Sequence, residues 1–156
     1  MRQINVLLVE DNPGDAELTR QSLEASKLSV RMTVVDDGEK ALKYLRQAAP
    51  YQKAEKPDLV LLDLNLPKLP GGEVLKVMKG DKALRGIPVV VLTTSEEESE
   101  ISRCYAEGAN CYVVKPVDFK SFMGIVSAIE EFWFSIVKLN DPAKARRAAK
   151  PGEGVR

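Results

Sequence analysis

The sequence predicts an α/β protein: one doubly wound (βα)5 domain, five strands in a single parallel sheet with helices on both faces. Three observations predict it. Five short apolar runs rich in Val, Ile and Leu are spaced along the 156 residues, and continuous apolar runs suit strands covered on both faces. The segments between them carry apolar residues at helical spacing, so strand and helix alternate, which is the order that builds a parallel sheet. No internal repeat competes with that alternation.

Residues 4–9, INVLLV, give the first strand, ended by Glu10 and Asp11. NPGDAELTRQSLEAS follows as a helix, with Pro13 near its start and Leu18 and Leu23 as apolar anchors. VRMTVV, residues 30–35, alternates more and reads as an edge strand. DDGEKALKYL is a second helix with Ala41, Leu42 and Leu45 on one face, and QAAPYQKAEKP is a polar connection into the strand PDLVLL. GGEVLKVMKG is a short third helix and IPVVVLTT a fourth buried strand. Ser95 with Glu96, Glu97 and Glu98 marks a charged helix start, since anions favour that end of the macrodipole, and the helix EEESEISRCYAEG has little apolar surface. CYVVKP is the fifth strand, and Asp118 suits the N-cap of a long final helix from Phe119 to Leu139. The domain is expected over residues 1–140. The tail DPAKARRAAKPGEGVR, 141–156, lacks periodic apolar residues and is expected to be flexible.

Lys plus Arg number 23 and Asp plus Glu number 23, so net charge exerts no general pull toward nucleic acid or anionic membrane. No apolar segment reads as a signal or a membrane span, and Cys104 and Cys111 match no zinc or redox spacing, so a reducing cytoplasm is the expected location. Histidine is absent, which removes Ser-His and Cys-His catalysis together with the commonest transition-metal ligand. Carboxylate, hydroxyl and lysine remain for chemistry.

The stretch LVLLDLNLPKLPGG runs an apolar strand straight into Asp63. An ionised Asp at the end of a buried segment needs a cation or donors to offset its desolvation. In open parallel sheets, sites form beyond the carboxyl ends of the strands, and in the flavodoxin-like order 2-1-3-4-5 strands one and three are adjacent. Glu10, Asp11 and Asp63 then share one crevice. Clustered carboxylates repel unless one is protonated or a cation enters, and an all-oxygen set suits Mg²⁺. Thr93, at the end of strand four, and Lys115, at the end of strand five, reach the same face. A carboxylate, Mg²⁺, a hydroxyl and an ammonium supply what phosphoryl transfer needs, with Asp63 in the middle as acceptor. A cis peptide between Lys115 and Pro116 would aim the lysine inward.

The motifs ED at 10–11, Asp63 with its LNLP continuation, LTT at 92–94 and YVVKP at 112–116 resemble the receiver domains of two-component response regulators. The resemblance covers roughly residues 4–139. The VEDNPGDAELT opening, the extended connection before strand three and the FWFSIVKL ending are most similar to the single-domain regulators that serve bacterial and cyanobacterial phytochromes. It implies that Asp63 takes a phosphoryl group from a histidine kinase, here one of the bacterial phytochrome class, or from a phosphotransfer protein. It also implies that Asp11, Asp63 and the backbone carbonyl of Asn65 hold Mg²⁺. Glu10 stands where many members carry a second Asp, and its longer arm is expected to reach the ion through water. Thr93 would donate to one phosphoryl oxygen and Lys115 neutralise another. Tyr112 would swing inward as Thr93 moves, reshaping the face made by helix four, strand five and helix five. Asn65 and Ser95 resemble positions that tune loss of the phosphoryl group.

In the last helix, Phe122, Val126, Ile129, Trp133 and Ile136 form a core-facing stripe, and Phe132 and Phe134 add aromatic surface off it. Phe132, Trp133 and Phe134 are therefore expected in or near a homodimer contact. Against the switch stand other readings. A haloacid-dehalogenase-like phosphatase also uses a strand-end Asp and Mg²⁺, but needs an Asp where this chain has Asn65. A flavin module would place phosphate near EDN, whose anions repel it. A phosphate-independent pseudo-receiver, binding partners without chemistry, is the main alternative. No nucleic-acid or membrane partner is expected.

Overall fold

The computed structural model describes residues 3–24, 29–94, 97–109 and 111–114, with residues 93, 98, 111, 113 and 114 as backbone only. Strands β1 (Ile4–Val9), β2 (Val30–Val35), β3 (Leu59–Asp63), β4 (Val89–Thr93) and β5 (Cys111–Val114) alternate with helices α1 (Pro13–Glu24), α2 (Gly38–Leu45), α3 (Gly71–Gly80) and α4 (Glu98–Ala106). Every pairing is parallel, as the alternation predicts, and the order is β2-β1-β3-β4-β5, the expected flavodoxin-like order. The final helix expected from Phe119 to Leu139, the 140/141 boundary and the tail lie outside the described residues.

From β1 the chain steps one way to β2, and every later crossover steps the other way. Right-handed crossovers therefore set α1 on one face and α2, α3 and α4 on the opposite face. Burial follows the two-residue strand period. Leu7, Val9, Val60, Leu62, Val89 and Val91 pack with Ala41, Leu45, Val74, Leu75, Met78 and Cys104 in one core. The alternate residues Val6, Leu8, Leu61 and Val90 are buried on the α1 side. Each fully buried Leu or Val contributes about 1.5–3 kcal/mol. β3 is buried at every position, as a central strand should be, whereas β2 buries only Val35 fully and occupies an edge.

Helix ends explain the loop geometry at both edges of the sheet. Asn12 caps α1 by accepting from the Asp15 N–H at 3.0 Å, leaving Pro13 at the first helical position, where its missing N–H is harmless. Asp37 caps α2 by accepting from the Lys40 N–H at 2.7 Å. α4 begins at Glu98 rather than at Glu96, with Glu97 at the cap and no side-chain cap bond. A Glu side chain is too long for the short ring that Ser, Thr, Asp or Asn closes there. α4 ends in paired bonds, Gly108 N–H to the Tyr105 carbonyl at 3.0 Å and Ala109 N–H to the Cys104 carbonyl at 2.9 Å, which require the left-handed φ of 104° at Gly108. The Lys79 ammonium ties α3 to the next loop, donating to the carbonyls of Arg85 at 3.1 Å and Ile87 at 2.8 Å.

Candidate functional site

The register of β1 and β3 pairs Val9 with Leu62, so the next step along both strands brings Glu10 beside Asp63. One carboxylate oxygen from each of Glu10, Asp11 and Asp63 lies within 4.8 Å of the others. Glu10 is 4% exposed and Asp63 5%, while Asp11 faces solvent. Backbone donors offset part of the desolvation: the Asn12 N–H reaches Glu10 Oε2 at 3.2 Å and the Asn65 N–H reaches Asp63 Oδ1 at 2.9 Å. Three hard oxygen donors this close fit a divalent cation of the Mg²⁺ or Mn²⁺ type and suit softer metals poorly. A cleft of about 320 Å³, lined by Glu10, Asp11, Pro13, Ala16, Glu17, Arg20, Val34 and Asp36, opens beside them.

The loop after Asp63 is held from several sides. The Gly71 N–H closes it onto the Leu64 carbonyl at 3.0 Å. A Cβ built on Gly71 would collide with the carbonyl oxygen of Asp63 and lie 2.7 Å from Leu64 Cα, so only glycine lets α3 start against the end of β3. Asn65 also bridges to the neighbouring strand end, its Nδ2 donating to Thr94 Oγ1 at 3.2 Å.

Of the residues expected at the site, Glu10, Asp11, Asp63 and Asn65 come together at the ends of β1 and β3. Thr93 follows Leu92, the partner of Asp63, at the end of β4. Its side chain, Ser95, Lys115, the Lys115–Pro116 peptide, Phe132, Trp133 and Phe134 lie outside the described residues. Among the described residues the cis peptide is Ala49–Pro50. Tyr112 is half-buried against the main core, and its N–H donates to the Tyr105 hydroxyl at 3.2 Å. Tyr105 is 48% exposed on α4.

Two neighbours of the site escaped the sequence reading. Asp37, 4% exposed, both caps α2 and approaches Lys68 of the loop after β3. The Asp-Gly pair at 37–38 ahead of an apolar helix was the available signal for the cap, but its loop partner is visible only in three dimensions. Next to it, the exposed Asp36 carboxyl is held below its usual range by the Lys40 ammonium, 2.7 Å away.

Residues 6–127 match the family model described as the response regulator receiver domain. The response regulator Rcp1 of Synechocystis sp. is 40% identical over 134 residues, covering 86% of this chain and 91% of that protein. The structure of the phosphorylated cyanobacterial phytochrome response regulator RcpA superposes with a TM-score of 0.79 at 45% identity, covering 86% of this chain and 96% of that one. The Mn²⁺-bound form of Rcp1 gives 0.77 at 40% identity, covering 83% and 94%. A parallel sheet in this order, with a carboxylate cluster at its carboxyl edge, is the receiver architecture, and the chain belongs to the response regulator receiver family.

Proposed function

We propose that Asp63 accepts a phosphoryl group from the histidine of a kinase or phosphotransfer protein, and that Mg²⁺ is required. The observation that carries this reading is a nearly buried Asp63 with Glu10 and Asp11 against it where β1 and β3 end. Asp11, Asp63 and the carbonyl of Asn65 would hold the ion, with Glu10 reaching it through water. When bound, Mg²⁺ neutralises charge on the phosphoryl oxygens and screens the carboxylates from one another. An Asp63 carboxylate oxygen bonds to phosphorus as the phosphorus–nitrogen bond of the donor breaks, its electron pair staying on the imidazole. In the reverse sense of signalling, water bonds to phosphorus, the bond to the Asp63 oxygen breaks, and inorganic phosphate leaves with the carboxylate restored. The Thr93 hydroxyl and the Lys115 ammonium are assigned to the remaining phosphoryl oxygens. The chain thus supports gain and loss of its own phosphoryl group without being a conventional enzyme.

A kinase of the phytochrome class is the proposed donor, supported by the likeness to the cyanobacterial phytochrome response regulator RcpA. The proposed output is Tyr112 and the α4–β5 face, the proposed partner there is a second copy of the chain, and Phe132, Trp133 and Phe134 are proposed in or near that contact. The edge position of β5 and the exposure of Tyr105 support that choice. A cytoplasmic setting follows from a kinase partner, and no helix among the described residues is long and apolar enough to cross a membrane. Intact-protein mass after incubation with acetyl phosphate tests the acceptor reading. A gain of one HPO₃ that needs Mg²⁺ and is absent in Asp63→Asn supports it, and no gain in wild type overturns it in favour of a phosphate-independent module.

A further inference from the structure

We infer that Asp37 and Lys68 form a clamp that positions the loop after β3 for cation binding, an inference that rests on the metal reading above. The loop is conformationally expensive. Lys68 has a φ of 67°, and the Leu69 N–H bonds to the Pro67 carbonyl at 2.8 Å, which makes residues 67–69 a γ-turn of the rare, strained hand. A non-glycine residue holds such a backbone only where its surroundings over-determine it.

Those surroundings are contributed by α2. Asp37 Oδ2 lies 3.8 Å from the Lys68 ammonium, and the carboxyl that receives it is nearly buried and already fixed by its bond from the Lys40 N–H. The next residue, Gly38, abuts the same turn: a Cβ there would collide with the Leu69 carbonyl oxygen and lie 2.8 Å from Leu69 Cβ. Leu69 in turn packs against the main core. The turn is therefore pinned at its strained residue, by charge on Lys68, and immediately after it, by close packing at Leu69. Upstream on the same short loop sits Asn65, whose N–H is bound to Asp63. Asp37 and Lys68 are positioning residues: they touch neither cation nor phosphoryl group, and act by fixing the backbone that carries the Asn65 carbonyl.

The sign of the effect separates this role from plain electrostatics. Removing the Lys68 charge near a cation site should tighten cation binding through space, whereas loss of the clamp should weaken it. Mn²⁺ binding, read from the free-ion electron paramagnetic resonance signal, needs no phosphorylation. Lys68→Met and Asp37→Asn are each expected to raise the Mn²⁺ Kd roughly two- to five-fold, the range open to a partly exposed ion pair. The double variant should lose no more than either single one, and Lys68→Arg should restore binding. Asn keeps the cap bond to Lys40, and a cooperative urea transition that starts well above the assay's zero denaturant shows that each variant is folded. Tighter binding in Lys68→Met, unchanged binding in both, or additive losses in the double variant would overturn the clamp while leaving the metal site standing. No Mn²⁺ binding by wild type would overturn the metal reading and the clamp with it.

Discussion

Asp63→Asn should make the metal-free protein more stable, because folding brings together like charges that the unfolded chain keeps apart. At 4.8 Å, the distance within which the three carboxylate oxygens lie, two unit charges repel by about 0.9 kcal/mol at a dielectric constant of about 80 and by about 3.5 kcal/mol at about 20. The variant removes two such pairs. The pair with solvent-facing Asp11 belongs near the screened end, and the pair with buried Glu10 nearer the upper one. The amide oxygen of Asn retains the bond from the Asn65 N–H. A net gain of about 1–3 kcal/mol follows, or roughly 1 M in urea midpoint for a chain of this size. Urea unfolding in EDTA and in Mg²⁺ provides the assay. Wild type should rise with Mg²⁺, by about 2.7 kcal/mol at a hundredfold excess over Kd, and the variant, short of one ligand, by much less. A variant less stable than wild type in EDTA would refute the account of the site as strained by its own charge.

Three further outcomes follow from the packing. Gly71→Ala forces backbone apart at Asp63 and Leu64 and should cost about 1–3 kcal/mol in urea unfolding, whereas Gly72→Ala, with nothing within 4 Å of its Cβ, should be neutral or gain up to about 1 kcal/mol. Cys104 is buried and burial pushes its thiol pKa up, so in a Cys111→Ser background iodoacetamide should label the folded protein far more slowly than the urea-unfolded chain, as peptide mass mapping reads. Burial holds the Lys79 ammonium below its usual 10.5. Between that lowered value and 10.5 the unfolded chain binds more protons than the folded one, so this residue's contribution to stability rises with pH across the window. The stability difference between wild type and Lys79→Met, measured in urea at several alkaline pH values, should therefore widen in favour of wild type as pH rises, and a narrowing gap would contradict it.

The parallel, doubly wound sheet was legible in the sequence because the signals that carry it are local and repeated. Four of the five strands are continuous apolar runs and each of the first four leads into a helix, so handedness leaves few arrangements. The cluster of Glu10, Asp11 and Asp63 was legible for the same reason: strand ends are marked by the first charged residue after a buried run, and adjacency in the sheet does the rest. What stayed hidden depends on side chains meeting across loops. Asn65 reaching Thr94, Asp37 reaching Lys68 and Lys79 holding two carbonyls leave no periodic trace, since each joins segments whose spacing the pattern does not set. The late start of α4 at Glu98 is a related case, because a run of glutamates favours a helix start without marking which residue caps it.

The measurement that tests the central claim most directly is reductive trapping of the acceptor. After incubation with acetyl phosphate and Mg²⁺, borohydride reduces an aspartyl phosphate to the alcohol and converts that aspartate to homoserine, which peptide mass spectrometry locates. Homoserine at position 63 alone, appearing only when both Mg²⁺ and phosphodonor are present, is the predicted result. Homoserine at Asp11 or elsewhere, or none in a sample that binds Mn²⁺, would contradict the assignment of Asp63 as the phosphoacceptor.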